Sequence, residues 1–216
     1  MKKIILFSAV WFTLVLRQVY AYYSQTALST HNIFAYTYYN TPALTFTPTQ
    51  APTANHILIS EVQIKGATAS QDFIELYNPT SAQVDISGWK LRKRISTGAE
   101  SSLIVIPSLT KITSRGYVLW ANTLNGYSAT VGADLTNSAT LADNNSIALI
   151  NASDTIIDQL SWGNGINQFK EGLGYPDNPG ASQSLERKAG IDTDRNETDF
   201  ILRSISHPQN KLSPPE

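Results

Sequence analysis

Cysteine is absent from this chain of 216 residues, and charged side chains are scarce. The missing cysteines exclude disulfides and thiolate metal sites, so packing and strand pairing must hold the fold together in any redox compartment. The 16 lysine and arginine residues stand against 17 aspartate and glutamate residues, for a formal net charge of -1. This balance argues against a protein that binds nucleic acid over its whole surface.

Histidine is nearly absent too, since the chain has His31, His56 and His207 and none in the body of the predicted domain. A Ser-His-Asp arrangement therefore lacks its base. The two Gly-x-Gly segments give no phosphate-binding loop, because they lie in a long loop, residues 163–183, with no helix after them. That loop is the longest irregular stretch and a candidate contact surface.

The N-terminus has the layout of a secretory signal peptide. Lys2 and Lys3 precede an apolar run over residues 4–16, and a small residue, Ala21, follows a more polar stretch. The alternative is a retained membrane anchor, but the run is shorter than the roughly 20 residues that a spanning helix needs. We expect a signal peptide at residues 1–21, export to the cell surface or beyond, and no membrane span in the mature chain.

Residues 22–54 read as a disordered linker rich in threonine, tyrosine and proline. No Asp, Glu, Lys or Arg occurs over residues 18–60, and residues 47–54 suit an extended stalk because proline fixes φ. Residues 34–39 (FAYTYY) are rich in aromatic side chains, and they could instead add an edge strand or mediate self-association.

The folded part, residues 55–206, shows short apolar runs of period two and no long segment of helical spacing. Residues 72–78 (DFIELYN) alternate and end in the turn residues of 78–81. Similar runs recur to residue 202, each bounded by glycine, asparagine, serine or proline. The pattern predicts an all-β antiparallel sandwich of about eight or nine strands, followed by a C-terminal tail at 207–216.

Several of these runs resemble one known family. The segments are 72–79 (DFIELYNP), 84–91 (VDISGWKL), 116–121 (GYVLWA), 145–150 (NSIALI), 157–163 (IDQLSWG), 184–187 (SLER) and 192–196 (DTDRN). Together they are similar to the lamin tail domain family in its bacterial exported form. The resemblance implies an immunoglobulin-like β-sandwich that acts as a non-catalytic module, and it identifies no ligand, since sandwiches host many functions.

The same runs supply the residues that we expect to define the fold: Phe73, Glu75, Tyr77, Asn78, Gly88, Trp89, Leu91, Trp120 and Trp162. A glycine just before a strand permits a positive φ, and the tryptophans that follow the inward pattern can fill the space between two sheets. The alternative for the three tryptophans is a platform on which sugars stack, although buried core positions are commoner.

Two carboxyl groups are candidates for chemistry. Glu61 and Glu75 lie in neighbouring early strands and could face each other, as the two acids of a glycosidase do. The commoner alternative is a pair of strand-face carboxylates that bond to loops or to arginine. We predict that the chain has no catalytic residue.

The segment that begins at Asp192 is a weak calcium candidate. The Asp-x-Asp-x-Asn spacing of Asp192, Asp194 and Asn196 places alternate oxygens around one point. No glycine follows Asn196, and Arg203 stands where a calcium loop would have its last glutamate. An Asx-turn loop that caps backbone amides would need no metal. We therefore predict no bound cofactor, with structural calcium as the alternative.

Lys90, Arg92 and Arg94 should project from one side of a strand, with Lys93 on the other side. Such a stripe could bind a polyanion, either nucleic acid or an acidic polysaccharide. The alternative is a solvated strand face whose charge also discourages pairing at a sheet edge.

Three functions remain open at this point. The favoured one is a secreted or cell-surface module that binds a protein or an envelope polymer without catalysis. The second is a polyanion-binding module that works through Lys90, Arg92 and Arg94. The third is a glycan or phosphoester hydrolase that uses Glu61 and Glu75.

Overall fold

The computed structural model describes residues 54–188 and 190–215. The predicted signal peptide and all of the predicted linker except Ala54 lie outside the described residues. Within the described ranges the chain forms twelve strands, two single-turn α-helices and one 3₁₀ turn. No helix in these ranges has the length and apolar character needed to cross a bilayer.

The strands fall into two main sheets. Their bounds are β1 Leu58–Gln63, β2 Phe73–Tyr77, β3 Val84–Asp85, β4 Lys90–Arg94, β5 Glu100–Val105, β6 Lys111–Ile112, β7 Tyr117–Asn122, β8 Leu135–Asn137, β9 Ser146–Ile150, β10 Ile156–Ser161, β11 Ser184–Arg187 and β12 Phe200–Arg203; α1 is Tyr127–Thr130 and α2 is Asn196–Asp199. One sheet has six strands in the order β12-β11-β1-β2-β7-β8, the other has four in the order β10-β9-β4-β5, and β3 pairs with β6. Every pair is antiparallel except β7 with β8.

This architecture confirms the predicted immunoglobulin-like all-β sandwich. The number of strands exceeds the predicted eight or nine, and two of the additional strands have a simple explanation. The apolar runs did not reveal β6 and β8, which have two and three residues. Segments this short cannot show a period-two alternation.

One continuous cluster of buried side chains joins the two sheets. Ile74 and Leu76 from β2, Trp120 from β7, and Leu91 and Leu149 from the facing sheet are all fully buried in it. Burial of an aliphatic side chain of this size contributes about 1.5–3 kcal/mol. The core therefore explains why the inward positions of these strands are apolar.

The opposite face of the six-stranded sheet is also covered, but by a second and smaller cluster. Phe73 of β2 packs there with Leu119 and Ala121 of β7 and with Tyr127, the first residue of α1. Both faces of β2 and β7 are therefore buried, and their sequences read as nearly continuous apolar runs.

Asn78 lies in the turn before β3, and Gly88 lies in the turn before β4. The buried Asn78 amide donates to the carbonyls of Ala82, Ile112 and Thr113, and its oxygen accepts the Thr80 N–H at 3.0 Å. Gly88 has a φ of 73°, which a residue with a Cβ adopts at a cost. Trp89 follows it and packs, partly buried, against the core.

A buried ion pair connects the two sheets. The Arg187 Nη2 atom of β11 lies 2.7 and 2.8 Å from the two carboxylate oxygens of Asp158 on β10, and both side chains are fully buried. Asp158 also accepts the Ile59 N–H at 2.6 Å, while Arg187 donates to the Ile59 carbonyl and stacks over the Phe200 ring at 4.5 Å. The Arg187 Nη1 atom reaches Asp192 at 3.0 Å.

Replacement of Arg187 by Ala should lower the free energy of unfolding by about 3–5 kcal/mol, because it leaves Asp158 buried without its cation. Urea unfolding would measure the change. The control is Arg203→Ala, which removes the cation of an exposed pair with Glu186 and should change stability little. An equal loss in both variants would contradict a special role for the buried pair.

Candidate functional site

The outer face of the six-stranded sheet carries a row of three glutamates. In the register of the strands, Glu61 of β1 lies opposite Glu75 of β2 on one side and opposite Glu186 of β11 on the other. Opposed residues of an antiparallel pair have Cβ atoms about 5 Å apart, and like charges there are destabilising. The three carboxyl groups therefore need hydrogen-bond donors or cations that offset their mutual repulsion.

The three glutamates obtain their partners in different ways. Glu186 forms an ion pair with Arg203 of β12. One oxygen of Glu61 accepts from the Ser184 hydroxyl and, at 3.0 Å, from the His207 N–H, whereas Oε2 receives no hydrogen bond from the described residues. Both carboxylate oxygens of Glu75 accept hydrogen bonds.

Glu75 is held between its own strand pair and the end of the chain. The Ser60 hydroxyl donates to Oε1 at 2.6 Å, and the Gln209 N–H donates to Oε2 at 2.6 Å. We call residues 205–213 the C-terminal segment. It is fastened further along by the Lys211 N–H, which donates to Asp134 at 3.1 Å. Part of the predicted tail thus lies against the sandwich, while the predicted boundary at residue 206 stays a prediction.

Burial makes these carboxyls hard to ionise. It raises the pKa of Glu75 to about 8, with Glu61 and Glu186 adding repulsion and the donors from Ser60 and Gln209 opposing the rise. Burial also raises the pKa of Glu61, against the bonds from Ser184 and His207. Glu75 is therefore mostly protonated at neutral pH.

The glutamate row opens onto a cavity of about 310 Å³, which we call the outer cavity. Its walls comprise Ser60, Glu61, Glu75, Tyr77, Tyr117, Glu186, Arg187, Gly190, Arg203, Ile205, His207 and Gln209. The rings of Tyr77 and Tyr117 have centroids 4.9 Å apart, and each tyrosine is 4% exposed. The cavity therefore combines acidic groups with an aromatic wall and a rim supplied by the C-terminal segment.

The basic stripe lies on the other sheet, and each of its three side chains has an acidic partner there. Arg92 and Arg94 both bind Glu100 of β5, with nitrogen–oxygen distances of 2.9 and 3.1 Å, and Lys90 pairs with Asp154. The Arg94 guanidinium also lies 3.9 Å over the Phe169 ring. Because Arg92 and Arg94 share one carboxylate, the stripe keeps a net positive charge, and polyanion binding stays an alternative.

The interpretation of the stripe as protection of a sheet edge is wrong. β4 lies between β9 and β5 in the four-stranded sheet, so its backbone groups are paired on both sides. The sequence could not show this, because strand order depends on contacts between distant segments. Lys93 does project from the other side, where it donates to the Thr140 carbonyl.

The structure brings together a different set of oxygens in the aspartate-rich loop from the one expected. Single carboxylate oxygens of Asp192, Asp194 and Glu171 lie within 4.8 Å of one another. The Asn196 oxygen instead accepts the N–H groups of Ser161 at 3.2 Å and Glu171 at 3.3 Å. Burial and nearby aspartates raise the pKa of Glu171 to about 9. The prediction of no bound cofactor, and its alternative of structural calcium at Asp192, Asp194 and Asn196, both stay untested.

The tryptophans do not form a sugar platform. Trp120 and Trp162 are fully buried in the core, and the Trp162 indole N–H donates to the Ala142 carbonyl at 2.9 Å. Trp89 packs partly buried against the same cluster. The alternative of three stacked tryptophans for carbohydrate is therefore wrong.

Sequence reasoning anticipated that Glu61 and Glu75 could face each other, but it missed the rest of the outer cavity. Tyr117 was visible only as part of an apolar run, and the C-terminal segment only as a tail. The period-two pattern did contain one usable signal: Phe73, Glu75 and Tyr77 alternate with the core residues Ile74 and Leu76, so they share the outer face.

Comparison with known proteins gives one family. A family model described as Lamin Tail Domain matches residues 50–164, which is more than half of the chain. No curated protein matches the chain significantly. β11 and β12 lie beyond the matched residues, although they pair into the same sheet as β1.

The pH dependence of stability should reveal the buried carboxyl of Glu75. Its folded pKa of about 8 lies above the ordinary value of 4.5, so the folded state holds the proton that the unfolded state has lost. Stability should therefore fall as pH rises from about 4.5 through 8, by up to about 1 kcal/mol per pH unit.

The variant Glu75→Gln should flatten this fall when urea unfolding is followed from pH 5 to 9. Some slope should remain, because burial also raises the pKa of Asp72, to about 7. Glu100→Gln, on the other sheet, is the control and should keep the wild-type slope. An unchanged slope in Glu75→Gln would contradict the assignment.

Proposed function

Because the chain belongs to the lamin tail domain family, we propose that it works as a non-catalytic β-sandwich module that is exported and binds a protein partner. The outer cavity is the surface through which it binds. The observation that carries this proposal is the association of an open cavity with carboxyl groups that the domain itself holds in place. An envelope polymer is the alternative partner.

The state of the two carboxyls supports binding over hydrolysis. A glycosidase needs one ionised and one protonated carboxyl on either side of the bond that it breaks. Glu61 and Glu75 lie side by side on one sheet face, and the pKa of each is raised. The two environments therefore shift the pKa values in the same direction, whereas an acid and base pair needs pKa values that are pushed apart.

Export is supported by the sequence of the N-terminus. Two lysines, an apolar run over residues 4–16 and Ala21 have the order of a cleaved signal peptide. The threonine- and proline-rich residues that follow suit a spacer between the domain and a surface. In this proposal the mature protein acts at the cell surface or outside the cell.

Expression of the full chain in a host with a secretory pathway should yield a protein that begins at Tyr22. N-terminal sequencing of the protein recovered outside the cytoplasm would check this, and replacement of Ala21 by Pro should block the cleavage. Recovery of the protein in the cytoplasm with Met1 or Lys2 at its start would contradict export.

A pull-down with the mature chain tests the binding function. The bait is compared with two variants of equal thermal midpoint: Glu61→Gln/Glu75→Gln in the outer cavity and Arg92→Ser/Arg94→Ser in the basic stripe. The wild type and the stripe variant should capture the same protein from the producing cell's envelope, and the cavity variant should capture at least several-fold less.

Two results would contradict the proposed function. The first is that the wild type captures nothing above a denatured control. The second is that capture depends on the stripe and falls steeply as salt rises, which is the behaviour of a polyanion ligand.

A further inference from the structure

We propose that the outer cavity binds the side chain of a lysine presented by the protein partner, with its ammonium group at Glu61 and Glu75 and its aliphatic stem along Tyr77 and Tyr117. This inference rests on the proposed function and specifies its ligand.

The first step in the argument is charge compensation around the cavity. Arg203 offsets Glu186, and Arg187 is already engaged by Asp158 and Asp192. Neither Glu61 nor Glu75 forms an ion pair with any lysine, arginine or histidine of the described residues. These two carboxyls are therefore the groups to which a cation from outside would bind.

The second step is an acceptor atom on the cavity wall that no described residue uses. Glu61 is 2% exposed and lines the cavity, yet its Oε2 atom accepts no hydrogen bond from the described residues. Because this atom is not fully enclosed, a donor can reach it from the cavity. A donor that enters the cavity would supply the missing bond.

The third step selects an ammonium group over other cations. Both oxygens of Glu75 already accept bonds from Ser60 and Gln209, so the site offers one free oxygen and not the two parallel acceptors that suit a guanidinium. A compact ammonium with three rotatable donors suits a single free acceptor beside a second carboxyl.

A metal ion fits the glutamate row poorly. Among the described residues, the group of three acids whose oxygens approach within 4.8 Å of one another is Glu171, Asp192 and Asp194. Glu61, Glu75 and Glu186 do not form such a group, and calcium takes six to eight oxygens. The carboxylate oxygens of the glutamate row are therefore too far apart to coordinate one metal ion together.

The tyrosines favour an alkyl stem over a sugar ring. The Tyr77 and Tyr117 rings pack against each other with their centroids 4.9 Å apart, and each residue is 4% exposed, so they present no open aromatic face to the cavity. A lysine keeps its charged head among polar groups while its methylene stem covers apolar surface. The ring edges and the stem would exclude water from the ion pair.

Binding of the ammonium group near neutral pH is coupled to the release of a proton from Glu75. Glu75, which is mostly protonated at neutral pH, loses its proton to solvent when the ammonium arrives, and the site then holds carboxylate and ammonium side by side. Titrations are therefore done above pH 8, where Glu75 is ionised and a lysine side chain, with a pKa of about 10.4, still carries its charge.

The test is a calorimetric titration of the mature chain with Nα-acetyl-lysine N-methylamide. Its matched control is Nα-acetyl-norleucine N-methylamide, which has the same stem without the ammonium. We expect saturable binding of the lysine compound alone, at least a tenfold loss in both Glu61→Gln and Glu75→Gln, and no loss in the distant variant Glu100→Gln. Thermal midpoints verify that each variant is folded.

Several outcomes overturn the proposal: no saturable binding of the lysine compound, equal binding of the norleucine compound, or undiminished binding to both glutamine variants. Tighter binding of a glucosamine trimer than of the lysine compound would also overturn it in favour of an amino-sugar polymer.

A chemical treatment of the partner separates this inference from the proposed function. Acetylation of envelope proteins removes the ammonium charge of lysine, whereas methylation keeps it. Capture by the mature chain should fail after acetylation and survive methylation. Capture that survives both treatments overturns the lysine assignment and leaves the proposed function standing, while absence of capture from untreated envelopes overturns the proposed function itself.

Discussion

The buried pair between Arg187 and Asp158 is the interaction on which the rest of the structure depends. It joins β11 of one sheet to β10 of the other, and both partners also bond to the backbone of Ile59 in β1. Such a pair gains little net free energy over an apolar substitute, but loss of one partner is expensive. It therefore fixes which strands meet across the core more than it adds to stability.

The strand that carries Arg187 also contributes to the outer cavity. β11 pairs with β1 in the register that sets Glu186, Glu61 and Glu75 in one row across three strands. Arg187 contributes both to the outer cavity and to the buried ion pair. It lines the cavity, while its guanidinium group binds Asp158. The family match ends at residue 164, so seven of the twelve residues that line the cavity come from the part of the chain after it.

Alternation in the sequence was enough to predict the sandwich and most of its strands. Residues 73–77 show why, since Ile74 and Leu76 enter the core and Glu75 faces outward. Contacts between distant segments were not predictable in this way. Asp158 and Arg187 each occupied a polar position in a recognised run, and no local pattern showed that they meet.

The position of β4 and the folding of the C-terminal segment escaped prediction for the same reason. A charged strand looks alike at an edge and in the middle of a sheet, and only strand order separates the two cases. The C-terminal segment has no apolar periodicity, because backbone amides and the polar side chains of Ser206 and Asn210 attach it to the sandwich.

That segment joins the sheet through the amides of His207 and Gln209, and the residue between them, Pro208, has no amide hydrogen to offer. Its attachment thus makes almost no demand on side-chain identity at 207 and 209, where any residue except proline can donate. Substitutions at these two positions could therefore change the rim of the outer cavity, and with it the choice of ligand. The carboxyl groups of Glu61 and Glu75 would stay the same.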